Sequence, residues 1–236
     1  MKSRPVLRIR RSALEYRVSF RQPLTRLLHY ESGLLDSLLS RLAKFGATLQ
    51  GVSVTPAPED LSKAQLSVPF VANFGTVTAK LTELSVTIRG AQSEDQPDVP
   101  RLMPLSDLDE VVESSLEAVR SADDRLLLSS PTVTFLFHAD LEGETTIELL
   151  SRFVGPAPKS LGEVSDLSVR YSFKEQGIHR GAYFILEPSR SLASGIFLQA
   201  VIVLDESQVE FGKVFTQTSE YVRAITNRED FPVVIQ

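Results

Sequence analysis

Residues 7–20 read LRIRRSALEYRVSF. Leu7 and Ile9 alternate with arginine, and then Leu14, Tyr16, Val18 and Phe20 alternate on the opposite parity. Successive side chains of a β-strand point to opposite faces, so an apolar set that changes parity would expose half of itself unless the backbone is re-aimed. A bulge around Arg11–Ala13 would do this. The stretch is therefore expected to be one long bent strand or a hairpin.

Outward from this strand, Pro23 opens a helical region. Leu24, Leu27 and Leu28, then Leu34, Leu35, Leu38, Leu39, Leu42 and Phe45, recur at three and four residues, with an interruption at Gly33 and a stop at Gly46. Three strand candidates rich in Val and Thr follow, at 48–55, 65–73 and 76–89. Residues 90–104 lack periodicity and read as a loop. Ser106 is placed to cap a helix with the stripe Leu108, Val111, Val112, Leu116 and Val119, ending near Ser121.

The second half starts again with a clean alternation over 132–140, followed by a short helix over 145–154. Strand candidates then come at 167–174, 182–187 and 195–204. The last is apolar on both faces and is expected to be central. Ser207 and Glu210 have the spacing of a capping box in front of a helix of ~20 residues ending at Asn227.

The chain thus spells β-α-β-β-β-α twice. Two similar words fall in equivalent helices: LLSRL (38–42) against LLSRF (149–153), and EAVR (117–120) against EYVR (220–223). The expected fold class is α+β, with two similar βαβββα units over 1–125 and 126–236 and an internal duplication. The antiparallel sheet of each unit would be covered by helices, because strands such as 195–204 cannot leave both faces in water.

Composition narrows the function. The 236 residues are 42% hydrophobic and 23% charged, with no cysteine and no tryptophan, as in an ordinary globular protein. Disulfides, thiolate metal sites and cysteine nucleophiles are excluded. No apolar run approaches the ~20 residues that cross a bilayer, and the apolar core a signal peptide needs is broken by Glu15 and Arg17. A cytoplasmic location is the expectation, with no membrane partner.

Residues 1–30 hold eight Lys or Arg against one acid, a formal +7 that leaves −12 on the rest. Such an asymmetry suits docking on an acidic protein surface or on a second copy of the chain. Arg8, Arg10, Arg11 and Arg17 are the expected binding residues, joined by Arg190 from the Ser-rich loop 187–195. The acidic helix from Asp107 to Asp124 is a candidate receiving surface. A nucleic-acid-binding arm of Arg4, Arg8, Arg10 and Arg11 ranks lower, since the whole chain is acidic with a pI near 5.4. The plain alternative is a solvated arginine face.

No Gly-x-Ser-x-Gly elbow, phosphate-binding glycine loop, EF-hand or His-Glu-x-x-His spacing is present. The expectation is a non-catalytic protein-interaction or self-assembly subunit with no cofactor and no metal. The competing reading is a small-molecule-binding protein or enzyme, with a pocket between the units lined by His138, Asp140, Tyr183 and Arg190. There His138 and Asp140 would form an imidazole–carboxylate pair, with Glu142 and Glu144 close behind. His179 and Arg180 are expected at a wet hairpin tip, and His29 at a helix junction.

Overall fold

The computed structural model describes residues 4–28, 33–56, 59–72, 74–91, 101–154, 167–174, 177–192, 194–228 and 231–235. His29–Glu31 and the acidic run Glu94–Asp98 lie outside them. The fold is mixed helix and sheet, as the periodicities predict. Its strands are β1 (Val6–Phe20), β2 (Ser53–Thr55), β3 (Gln65–Phe70), β4 (Gly75–Lys80), β5 (Glu83–Ala91), β6 (Leu128–Leu141), β7 (Val169–Phe173), β8 (His179–Pro188), β9 (Gly195–Leu204) and β10 (Val234–Ile235). Its α-helices are α1 (Leu34–Leu42), α2 (Leu105–Ala122), α3 (Thr146–Val154) and α4 (Val214–Thr226).

The strands form one sheet in the order β2-β3-β4-β5-β1-β6-β9-β8-β7, antiparallel at every step. β1 is one continuous 15-residue strand at the centre, not a hairpin. Its register against β6 shifts between Ile9 and Arg11, so Arg10 is the extra residue. Below the bulge Leu7 faces the core, and above it Ser12, Leu14, Tyr16, Val18 and Phe20 do. β5 reaches down β1 only as far as Arg11. Past that point β10 takes over the vacated edge, running parallel to β1 at Val6 and Leu7.

Two boundaries differ from the sequence reading. Residues 76–89 are two strands, β4 and β5, turned at Leu81–Thr82 and closed by a 2.6 Å Lys80–Glu83 ion pair. The first half is therefore β-α-β-β-β-β-α rather than βαβββα. The capping box at Ser207 does not form. The Ser207 amide and hydroxyl both donate to Asp205, and α4 begins only at Val214.

The N-terminus of α4 is instead satisfied from the other half of the chain. Asp109, on α2 and only 2% exposed, accepts hydrogen bonds from the amides of Phe215 (2.6 Å) and Thr216 (3.2 Å) and from the Thr216 hydroxyl. A carboxylate there meets both orphan donors and the positive end of the helix dipole. Nor does Ser106 cap α2: the N-cap position is Pro104, and the Ser106 hydroxyl donates to Asp107. A capping box that the sequence reading did not single out forms at α3, where the Thr145 amide donates to Glu148 at 2.8 Å and the Glu148 amide to the Thr145 hydroxyl at 3.3 Å.

All four helices lie on one face of the sheet. The inward side chains of α2, among them Leu108, Val111, Val112, Leu116 and Val119, are fully buried. They pack with Leu34, Leu38 and Leu42 of α1 and Val214, Phe215 and Val222 of α4 over Leu14, Tyr16, Val86 and Val133 of the sheet. Phe215 meets Phe135 of β6 edge to face at 6.5 Å. The chain entering α2 crosses the end of β5 so closely that a Cβ on Gly90 would lie 2.7 Å from the Leu102 backbone.

Asp109→Ala should lower the unfolding free energy by about 2 kcal/mol, the cost of leaving buried helix-end donors unpaired. Asp109→Asn should cost about half as much, because burial pushes this carboxyl up against the pull of its hydrogen bonds and an amide keeps one acceptor without a charge. Urea denaturation followed by circular dichroism measures both.

Candidate functional site

The other face of the sheet carries no helix among the described elements. Strand alternation puts on it Ser67, Thr76, Thr78, Ser85 and Thr87 from β3–β5, and Arg11, Ala13, Glu15 and Arg17 from β1. From β6, β9 and β8 come Thr134, Leu136, His138, Phe197, Val201, Val203, Tyr183 and Ile185. One half of the open face is thus hydroxyl-rich, and the other is mostly apolar, with Gln199 at its middle and Glu187, Arg170 and Ser172 toward the β7 edge. β9 is buried along its helix side and still presents Phe197, Val201 and Val203 outward, as its two-sided hydrophobicity predicts.

At the bulge end of this face is a hollow of about 860 Å³. Arg11, Thr76, Arg89, Leu136, His138 and Phe197 are among the residues that line it. The bulge creates it. Without the extra residue Arg10, Arg11 would continue the inward parity of Leu7 and Ile9. With it, Arg11 stands on the open face directly opposite His138. Arg89 pairs with Ala13 and is the diagonal neighbour of Arg11.

His138 is held from two sides. Its ring lies 4.9 Å from that of Phe197, and Nδ1 is 2.8 Å from the Ser189 hydroxyl. That hydroxyl already accepts the Ser191 and Leu192 amides, both at 3.1 Å, so it donates to Nδ1. The neutral ring then carries its proton on Nε2. Burial holds the imidazole below its ordinary 6.5, and the Arg11 guanidinium adds to the shift.

The four residues expected to converge do not all meet. His138 lines the hollow, and the loop holding Arg190 folds against it through Ser189 and Ser191. Arg190 itself is exposed and is not part of the lining. Asp140 is drawn away by Arg10, whose Nε donates to it at 2.5 Å. Tyr183 is two strands over, beneath Arg170 with the guanidinium 4.2 Å from its ring centre. Glu142 pairs with Arg8 at 2.6 Å and Glu144 with Arg152. Among the described residues no three His, Asp or Glu side chains gather to hold a metal.

Other basic residues in and beside the first strand are also engaged within the chain. Arg17 pairs with Glu15 at 2.7 Å and Arg21 with Glu206 at 3.0 Å, while Arg4 donates to the Arg228 carbonyl. On the acidic helix Glu110 and Glu117 pair with Lys44 and Arg41 near α1. Of the tip expected to be wet, His179 is buried, its ring stacked 3.9 Å from Tyr221 of α4, whereas Arg180 is exposed and reaches Asp205 and Glu206 at 3.2 Å. No helix among the described residues is long and apolar enough to cross a membrane. Neither a protein-family model nor a curated protein sequence matches the chain.

Arg89, Thr76, Thr87 and Phe74 were not singled out from the sequence. Alternation alone assigns Arg89 and Thr87 to one face of β5, but only the pairing of β5 with β1 brings them to His138.

An imidazole with a lowered pKa costs stability when protonated. Its contribution is complete above the ordinary 6.5 and is lost as pH falls through that value toward the folded one. Between about pH 8 and about pH 5, wild type should lose more stability than His138→Gln, read as urea midpoints. Equal losses would mean an unshifted ring.

Proposed function

We propose that the chain is a non-catalytic protein-interaction subunit that assembles across the open face of its sheet, first of all with a second copy of itself. The observation that carries this is the group Leu136, Phe197, Val203, Tyr183 and Ile185, set around Gln199 and the nearly buried Val201, on a face no described helix covers. Nine strands at ~4.8 Å spacing and about five residues of height give a face of about 650 Å². This is close to the ~800 Å² per partner of a standard interface. The arginines of β1 favour this face over an ionic docking strand, since Arg8, Arg10 and Arg17 already have carboxylate partners in the same chain.

The proposal includes the repeat. Counted outward from the central β1·β6 pair, the strands run 1-5-4-3-2 on one side and 6-9-8-7 on the other, so that β2 is the one strand of this path without a counterpart. A local twofold through that antiparallel pair would relate residues 1–125 to 126–236, matching α1 to α3 and α2 to α4, the helices that share the words LLSR and E-x-V-R. Two copies packed face to face would repeat that symmetry once more.

The second reading, a small-molecule pocket, is favoured by one observation: the hollow beside His138 gathers two guanidinium groups, an imidazole and hydroxyls against Phe197 and Leu136.

Sedimentation at tens of micromolar should give a dimer for wild type and a monomer for the double variant Ile185→Glu, Val203→Lys, with far-UV circular dichroism unchanged. The apolar contact should hold or strengthen at high salt, whereas docking of arginines on the Asp107–Asp124 helix would weaken. Wild type monomeric at both low and high salt overturns the assembly.

A further inference from the structure

We propose that the cavity between the last turns of α4 and the bulged part of the sheet binds a small two-ring aromatic molecule that carries an oxygen acceptor. The rings lie on Phe135 and Phe137, and the oxygen stands at the mouth beside Arg223 and Asn227. The cavity is on the helix face, so it is separate from the open face and from the hollow beside His138.

The sequence of α4 makes the space. Its sheet-facing stripe runs Phe215, Ser219, Val222 and Thr226, positions three and four residues apart. Phe215 fills the room under the start of the helix, edge to face on Phe135 at 6.5 Å. The three side chains that follow are small. Beneath them a cavity of about 310 Å³ remains, with Ile9, Phe135 and Phe137 on the sheet side and Leu105 of α2 and Val222 on the helix side. Protein interiors are close-packed and hold few voids larger than a water molecule, so a space of this size departs from the packing of the rest of the core.

Size and surface select the ligand. An apolar cavity of about 150 Å³ holds one benzene ring, so roughly twice that volume suits two fused rings, at the small end of the range for ligand sites. The rings of Phe135 and Phe137 lie 6.2 Å apart with planes 28° from parallel. They form an aromatic floor on which a flat ring system packs by offset or edge contacts.

The mouth is polar. Arg223 and Asn227 are exposed and Ser219 is half-buried, and all three line the cavity. The Thr226 hydroxyl is used inside the helix, on the Arg223 carbonyl at 3.4 Å. Guanidinium and amide groups supply N–H donors, so the group that complements them on the ligand is an accepting oxygen. Polar groups at one end of an apolar cavity fix which way round a ligand enters.

The test uses the full chain with naphthol, naphthalene and octanol as probes, read by calorimetry and by the methyl resonances of Ile9, Val222, Leu136 and Ile185. Naphthol should bind more tightly than the other two and shift Ile9 and Val222, leaving Leu136 and Ile185 of the open face in place. Ser219→Phe, which puts a ring into the cavity, should weaken naphthol at least about tenfold and raise the thermal midpoint, as filling a void does. Leu105→Trp, from the α2 side at a half-buried position, should weaken it likewise and serves if Ser219→Phe does not fold. Arg223→Gln should weaken naphthol and leave naphthalene unchanged. Octanol as tight as naphthol overturns the aromatic assignment, and naphthalene as tight as naphthol overturns the acceptor. The site itself is overturned if the shifts fall on Leu136 and Ile185, if both filling variants bind as wild type does, or if naphthol does not bind at millimolar concentration.

Discussion

One extra residue in the middle strand governs the arrangement of the molecule. β1 pairs on both sides and must keep a single face apolar along 15 residues, yet its sequence changes parity halfway. The bulge at Arg10 resolves the conflict by turning the lower part of the strand by one position relative to the upper. Leu7 and Leu14 can then both be buried under the helices, and arginines come outward on both sides of the kink. Those below it meet Asp140 and Glu142, and the one above it meets His138. The core and the open-face hollow follow from the same backbone irregularity.

What could be read from the chain was whatever depends on neighbours within a few residues. The parity change in 7–20, the two-sided apolar run 195–204 and the stripe Leu108–Val119 each announce an element through local periodicity, and each is found. The division of 76–89 into β4 and β5 was also present locally, as a slip between Leu81 and Leu84 where strict alternation would require two residues and the chain supplies three. It escaped because Thr, Val and Leu continue on both sides with no Gly, Pro or Asn to mark the turn. Partners far apart in the chain were not legible. Ser207 and Glu210 have capping-box spacing, but the donors of α4 are taken by Asp109, more than a hundred residues earlier. The position of Arg89 beside Arg11 depends on strand order, which no periodicity encodes.

Charge behaves in the same way. The basic amino-terminal segment stands out in a linear count, whereas in three dimensions Arg8 and Arg10 neutralise carboxylates of β6 and the turn after it, Arg21 pairs with Glu206 after β9, and Arg17 pairs with Glu15 of its own strand. Exposed pairs of this kind add little stability one by one. Their larger effect is on what the surface offers. With Arg8, Arg10 and Arg17 engaged, the mostly apolar half of the open face becomes its distinctive feature.

Capping one helix with a carboxylate from another also bears on how this chain can change over time. A substitution at Asp109 and a substitution at Thr216 act on the same side-chain hydrogen bond, so their effects should not add. Sequence drift in the two halves is therefore epistatic at this point. A copy of the second half carried into another gene would lose the carboxylate and would need a compensating residue to begin α4, whereas a copy of the first half would keep a carboxylate with none of these donors.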